Sequence, residues 1–87
     1  ILLIKKHKLA GTKTDSDILL KGTMTGHHHR IINGNIFKKE IDGKGVFAFV
    51  ESEEDCKLIH DEHKTISLPK GIYEVRRQRE VSGYVYD

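Results

Sequence analysis

Four of the six histidines in this sequence fall into two closely spaced pairs with the chemistry of a metal site. His27 and His29 are two residues apart, and because side chains alternate faces along a strand, their rings would point to the same side. His60 and His63 form the second pair near a predicted strand end, where a turn would bring both imidazoles together. Neutral imidazole binds divalent transition metals, so the two pairs predict a site for zinc, manganese, iron or nickel.

Carboxylates are candidates for an oxygen ligand, or for a hydrogen-bond acceptor behind a ligating imidazole, at three positions: Asp61, Glu62 and Glu74. A metal held by three or four histidines with one open position would activate water or bind oxygen. No motif identifies a substrate, so the sequence leaves catalysis open. The competing interpretation is that the histidines are hydrogen-bonded or solvated surface groups, as we expect for His7 between its two lysines.

A second segment with binding chemistry is basic, since Arg76, Arg77 and Arg79 fall within one predicted strand. Alternation places Arg77 and Arg79 on the same face as Tyr73, with Arg76 on the other. Arginines beside an aromatic ring could hold a phosphate backbone while the ring stacks on a base, which makes nucleic acid an alternative partner. The competing interpretation, cross-strand pairing with nearby glutamates, is favoured by the small net charge of +2.

A third interpretation is a structural protein of phage type. Its histidines would pair across strands and line an interface between copies of the chain. Exposed sheet edges need covering, so a homo-oligomer is expected on general grounds.

Composition narrows the classes of protein to which this chain can belong. Its 87 residues suffice for one domain, and 15 basic against 13 acidic residues are too nearly balanced to imply nucleic acid binding alone. The single cysteine, Cys56, excludes an internal disulfide, is expected in the core, and suits a reducing cytoplasm. No apolar run approaches the roughly 20 residues that cross a bilayer, so we expect no membrane partner.

Short apolar segments separated by glycine, aspartate or asparagine dominate the chain, and no window has a sustained helical period. We therefore expect one all-β domain over residues 1–87, a small barrel or sandwich of about six to eight short antiparallel strands with little helix. Asn33-Gly34 predicts a hairpin that joins strands His27–Ile32 and Asn35–Ile41, and Asp42-Gly43 predicts another turn.

Other stretches also carry local predictions. Leu9–Asp17 is expected to be a polar connection, and Glu51–Asp55 a loop or a single helical turn that precedes a short strand, Cys56–His60. Pro69-Lys70-Gly71 predicts a turn, followed by a long strand over Ile72–Val81.

Two families share motifs with this sequence. His27-x-His29 and Pro69-x-Gly71 resemble the two motif halves of the cupins, with Glu74 where the second cupin motif has a histidine. That resemblance implies a β-barrel with a metal in its mouth. The motifs GHxHR at 26–30, HxxH at 60–63 and LPxGxYxVxxQRE at 68–80 resemble a family of small uncharacterised bacterial and phage proteins. This second resemblance implies that the motifs form one unit, and it brings no established activity.

Overall fold

The computed structural model describes residues 2–21, 28–60, 65–79 and 85–86. These residues form nine β-strands and no helix. The strands are β1 (Leu2–Lys6), β2 (Thr12–Thr14), β3 (Ile18–Lys21), β4 (His28–Lys38), β5 (Val46–His60), β6 (Ile66–Leu68), β7 (Gly71–Arg76), β8 (Gln78–Arg79) and β9 (Val85–Tyr86). All pairings are antiparallel, so the prediction of an all-β antiparallel fold is confirmed.

Seven of these strands form one sheet around the long hairpin of β4 and β5. The order is β1-β7-β5-β4-β2, with β3 also paired to β4 and β6 also paired to β5, while β8 and β9 form a separate pair. The core lies where side chains of β4, β5 and β7 meet in register, as with Ile36 against Val50. The buried apolar cluster consists of Leu19, Ile31, Ile36, Phe47, Ala48, Val50, Cys56, Leu58, Leu68, Tyr73 and Val75.

Asp42 organises the loop between β4 and β5. Its Oδ1 accepts hydrogen bonds from the backbone N–H groups of Lys44 at 2.9 Å and Val46 at 3.0 Å. Its Oδ2 accepts one from Lys39 Nζ at 3.2 Å. These bonds, with that from Val46 contributing most, hold the pKa of Asp42 below its usual value because they favour the carboxylate form. The turn predicted at Asp42-Gly43 is confirmed.

The hairpin predicted at Asn33-Gly34 is wrong, because β4 runs straight through this dipeptide. Asn33 has a positive φ of 57°, and the ladder register shifts between Ile32 and Gly34, so the dipeptide lies opposite a β-bulge of β5. Asp55 on β5 also has a positive φ, 56°, and its carbonyl accepts a hydrogen bond from Asn33 Nδ2 at 3.3 Å. The left-handed conformation that the dipeptide favours is therefore present, but inside a strand.

On β5, the bulge corresponds to the additional residues between Ser52 and Lys57. The predicted loop over Glu51–Asp55 and the separate short strand after it are wrong, since both lie within the single strand β5. The ladder pairs Gly34 with Ser52 but Ile32 with Lys57, so β5 takes more residues than β4 to pass the bulge. The extra residues of β5 include the exposed acidic side chains of Glu53, Glu54 and Asp55.

Other predicted boundaries also moved. The predicted polar connection over Leu9–Asp17 contains the short strand β2. The predicted long strand over Ile72–Val81 is broken at Arg77, and its last two residues lie outside the described part of the chain. The bend at Pro69-Lys70 separates β6 from β7, as predicted. Cys56 is fully buried, as expected of a core residue.

Candidate functional site

His29 on β4 and His60 on β5 are registered partners in the antiparallel ladder. Their ring centroids lie 4.4 Å apart, with an angle of 53° between the ring planes. Both side chains are half-buried. The fold therefore brings together one histidine from each of the two motifs, which we call the histidine pair.

An apolar surface adjoins the histidine pair on the same sheet face. The next same-face partners along the ladder are Ile31 and Leu58, which are only 3% and 4% exposed. Leu20 on β3 is the partner of His29 and packs against the core. The two half-buried imidazoles thus lie at the end of the apolar core. Such surroundings increase the strength of polar and ionic contacts.

The remaining predicted ligands of the two histidine motifs cannot be placed relative to the histidine pair. His27, Asp61, Glu62 and His63 lie outside the described residues. Across residues 2–21, 28–60, 65–79 and 85–86, no group of three or more histidine, cysteine, aspartate or glutamate side chains is arranged to hold a metal ion. Within that part of the chain, the candidate site is the histidine pair.

Glu74 is placed in a different part of the sheet. Its registered partner is Phe49, at the opposite end of β5 from His60. Its Oε2 accepts hydrogen bonds from Arg76, at 2.9 Å to Nε and 2.8 Å to Nη2, and lies 4.0 Å from Lys6 Nζ. The carboxylate of Glu74 is therefore neutralised by cations rather than directed at the histidine pair.

The arginines of the predicted basic strand do not form a continuous row. Arg76 is held by its ion pair with Glu74, and Arg77 donates its backbone N–H to Gly45 O at 2.9 Å. Arg79 belongs to β8, in the separate two-stranded sheet. Tyr73 is buried, and its hydroxyl donates to Pro69 O at 2.7 Å, so the ring packs in the core rather than presenting a stacking surface.

Sequence analysis missed one contact, which lies beside the core. Lys38 Nζ donates a hydrogen bond to Leu19 O and lies 5.5 Å from the ring centroid of Phe47. Partial burial lowers the pKa of Lys38 because it disfavours the charged amine. No local sequence pattern signals this contact, since it joins β3, β4 and β5 across the sheet.

Comparisons with known proteins place the chain in a family without indicating an activity. The described residues contain no helix of the length and apolar character that crossing a bilayer requires. No curated protein and no solved structure matches the chain. A family model described as a domain of unknown function, DUF8820, matches residues 1–78, in agreement with the expected resemblance to a small uncharacterised family. The match covers most of the chain, which therefore belongs to the DUF8820 family.

Proposed function

We propose that this protein binds a divalent transition metal through the histidine pair, with His27 and His63 as further ligands. The observation that carries the proposal is the cross-strand contact of His29 and His60, whose ring centroids are 4.4 Å apart. Two imidazoles from distant parts of the sequence are thereby held side by side at the end of an apolar core.

The separation of the two rings is compatible with one shared ion. With metal–nitrogen bonds of about 2.0 Å and a tetrahedral angle, two imidazole centroids on one ion lie about 5 Å apart. The observed 4.4 Å differs from this value by less than the reach of a small rotation about the side-chain torsions. Two rings in van der Waals contact need no common direction of their nitrogens, whereas two ligands of one ion do. Metal binding therefore distinguishes a metal site from simple packing of the two rings.

His27 and His63 are proposed as the third and fourth ligands on the basis of spacing. His27 precedes His29 by two residues, and His63 follows His60 by three. An all-imidazole set suits zinc, iron and nickel better than manganese, which prefers oxygen ligands. If only three of the four histidines bind the ion, the open fourth position would let it activate water. The His-x-His resemblance to the cupins is consistent with an ion at the mouth of a β-fold.

The proposal is tested by metal analysis of protein purified without an affinity tag. We expect stoichiometric binding of zinc or nickel after reconstitution, and a higher melting temperature on metal addition because the ion binds only the folded chain. His29→Ala and His60→Ala should each remove this metal-linked shift. His7→Ala is the matched control, since His7 is exposed and lies outside the pair.

The distinguishing readout is the metal-linked part of stability, not stability itself. A His29→Ala variant with a lower melting temperature that still rises on metal addition would argue against His29 as a ligand. Wild-type protein that neither binds nor is stabilised by zinc, nickel, iron or manganese would rule the proposal out.

A further inference from the structure

The sheet face opposite the histidine pair carries a mixed group of apolar and cationic side chains. Because side chains alternate along a strand, Arg30 and Ile32 of β4 lie on this opposite face. Their registered partners on β5 are Ile59 and Lys57, and Ile18 of β3 pairs with Arg30. We call this set the Arg30 face, and it comprises Ile18, Arg30, Ile32, Lys57 and Ile59.

The Arg30 face combines accessible apolar surface with two cations that have no counter-ion among the described residues. Ile32 is 38% exposed, and Arg30 and Lys57 are exposed as well. Neither cationic side chain forms a hydrogen bond or an ion pair with any residue in the described part of the chain. Arg30 and Lys57 are diagonal cross-strand neighbours, for which the Cα atoms are about 7–8 Å apart. A carboxylate placed between the two side chains would neutralise both.

The composition of the Arg30 face indicates what kind of surface would cover it. Its five residues include no aromatic ring, so it offers no platform on which a nucleic acid base could stack. It also includes no carboxylate. A complementary surface would therefore bring an acidic group and an aliphatic side chain next to each other.

This chain carries such a combination in the loop between β4 and β5. Ile41 is 45% exposed, and the neighbouring Glu40 is exposed and makes no side-chain hydrogen bond or ion pair with a described residue. We call Glu40 and Ile41 the hairpin tip. The hairpin tip follows the end of β4, whereas Arg30 is near its start, roughly 30 Å away at about 3.3 Å per residue. This distance excludes contact between the hairpin tip and the Arg30 face of the same molecule. The hairpin tip of one copy can contact the Arg30 face of another.

We propose that two copies of this chain associate with the hairpin tip of each docked on the Arg30 face of the other. Because each copy carries both surfaces, a two-fold axis between the copies makes the two contacts equivalent and closes the assembly as a dimer. In each contact Glu40 lies between Arg30 and Lys57, and Ile41 packs against Ile32. The charges fix the relative orientation of the two copies, while the isoleucines supply the apolar contact.

The proposal is tested by sedimentation equilibrium of the full chain over a range of protein concentrations, with a chelator present so that the result is independent of metal binding. We expect a monomer–dimer equilibrium. Glu40→Lys and Arg30→Glu should each weaken dimerisation by at least about tenfold, because like charges then face each other. The double variant with both substitutions restores opposite charges and should recover most of the lost affinity.

Matched charge reversals elsewhere on the surface serve as controls. Glu54→Lys and Lys8→Glu change exposed residues outside both contact surfaces and should leave the dissociation constant unchanged. Circular dichroism of every variant shows whether its fold is retained. A protein that is monomeric at all concentrations, a dimer insensitive to Glu40→Lys, or a double variant that shows no recovery would each overturn the proposal. Assembly beyond the dimer would also overturn it, since the two-fold arrangement is closed.

Discussion

Replacing Gly34 with alanine tests the β-bulge that interrupts the β4–β5 ladder. A Cβ atom at this position would lie 3.0 Å from each of three atoms: Cys56 Sγ, Glu51 O and Ile31 Cγ2. Glu51 O belongs to the ladder, and the branched side chain of Ile31 is stiff, so neither neighbour can move freely. Overpacking of this kind costs about 1–3 kcal/mol. Alanine also reduces the conformational entropy of the unfolded chain, which stabilises the folded state by only about 0.4–1 kcal/mol.

Gly34→Ala should therefore lower the free energy of unfolding by roughly 1–2 kcal/mol, measured by urea denaturation. In a domain of this size, the melting temperature falls about 4–8 °C for each kcal/mol lost. Gly43→Ala is the matched control, since a Cβ there would have nothing within 4 Å and the φ of Gly43 is not positive. That variant should be as stable as the wild type or slightly more stable.

A double-mutant cycle distinguishes the bulge from the hairpin that the sequence suggested. Cys56→Ala alone should cost about 1–2 kcal/mol through lost burial and the cavity it leaves. Because it also removes the Sγ atom that crowds position 34, the double variant should be at least about 0.5 kcal/mol more stable than the two single effects predict. In a hairpin at Asn33-Gly34 the two sites would not touch. Additivity within about 0.3 kcal/mol would therefore refute the packing described for the bulge.

Two further predictions concern the loop and the core. Asp42→Asn keeps an acceptor oxygen but removes the charge whose pKa the fold lowers. The melting-temperature difference from wild type should be full at neutral pH. It should begin to shrink as the pH falls below about 4, where the carboxyl group of the unfolded chain takes up a proton, and should be lost below the lowered pKa of the folded carboxyl group. Glu54→Gln, which neutralises an exposed carboxylate outside this loop, is the matched control. Leu19→Ala removes a fully buried side chain of the core and should lower the free energy of unfolding by about 2–5 kcal/mol in urea denaturation, whereas a loss under 1 kcal/mol would contradict its place there.

The elements that could be predicted from the sequence are those fixed by local chemistry. Alternating apolar residues and the near absence of a helical period correctly indicated an all-β chain, because period-two burial is a property of each strand by itself. The Asp42 turn was predictable for the same reason, since its side chain bonds to backbone N–H groups only two and four residues away.

The interpretation of Asn33-Gly34 failed because its local signal is shared by two structures. The dipeptide favours a left-handed conformation, which both a hairpin turn and a bulge accommodate. Asn33 adopts this conformation in the bulge. The choice between them depends on whether a partner strand long enough to continue the ladder exists, and β5 supplies it from a distant part of the sequence. The same long-range pairing hid the Lys38–Phe47 contact from any local pattern.

The bulge also determines why the two histidines meet. From Gly34 to Lys38 the ladder has a constant register with β5, and its continuation without the bulge would place His29 opposite Lys57. The register shift at Asn33 instead places His29 opposite His60. It also changes the inward-facing positions of β4 from the even-numbered Gly34 and Ile36 to the odd-numbered His29 and Ile31, which leaves Arg30 on the outer face. The bulge, with left-handed Asn33 on β4 and left-handed Asp55 on β5, therefore sets both the histidine pair on one side of the sheet and the Arg30 face on the other. Neither surface would exist in the shorter hairpin that local sequence signals favour.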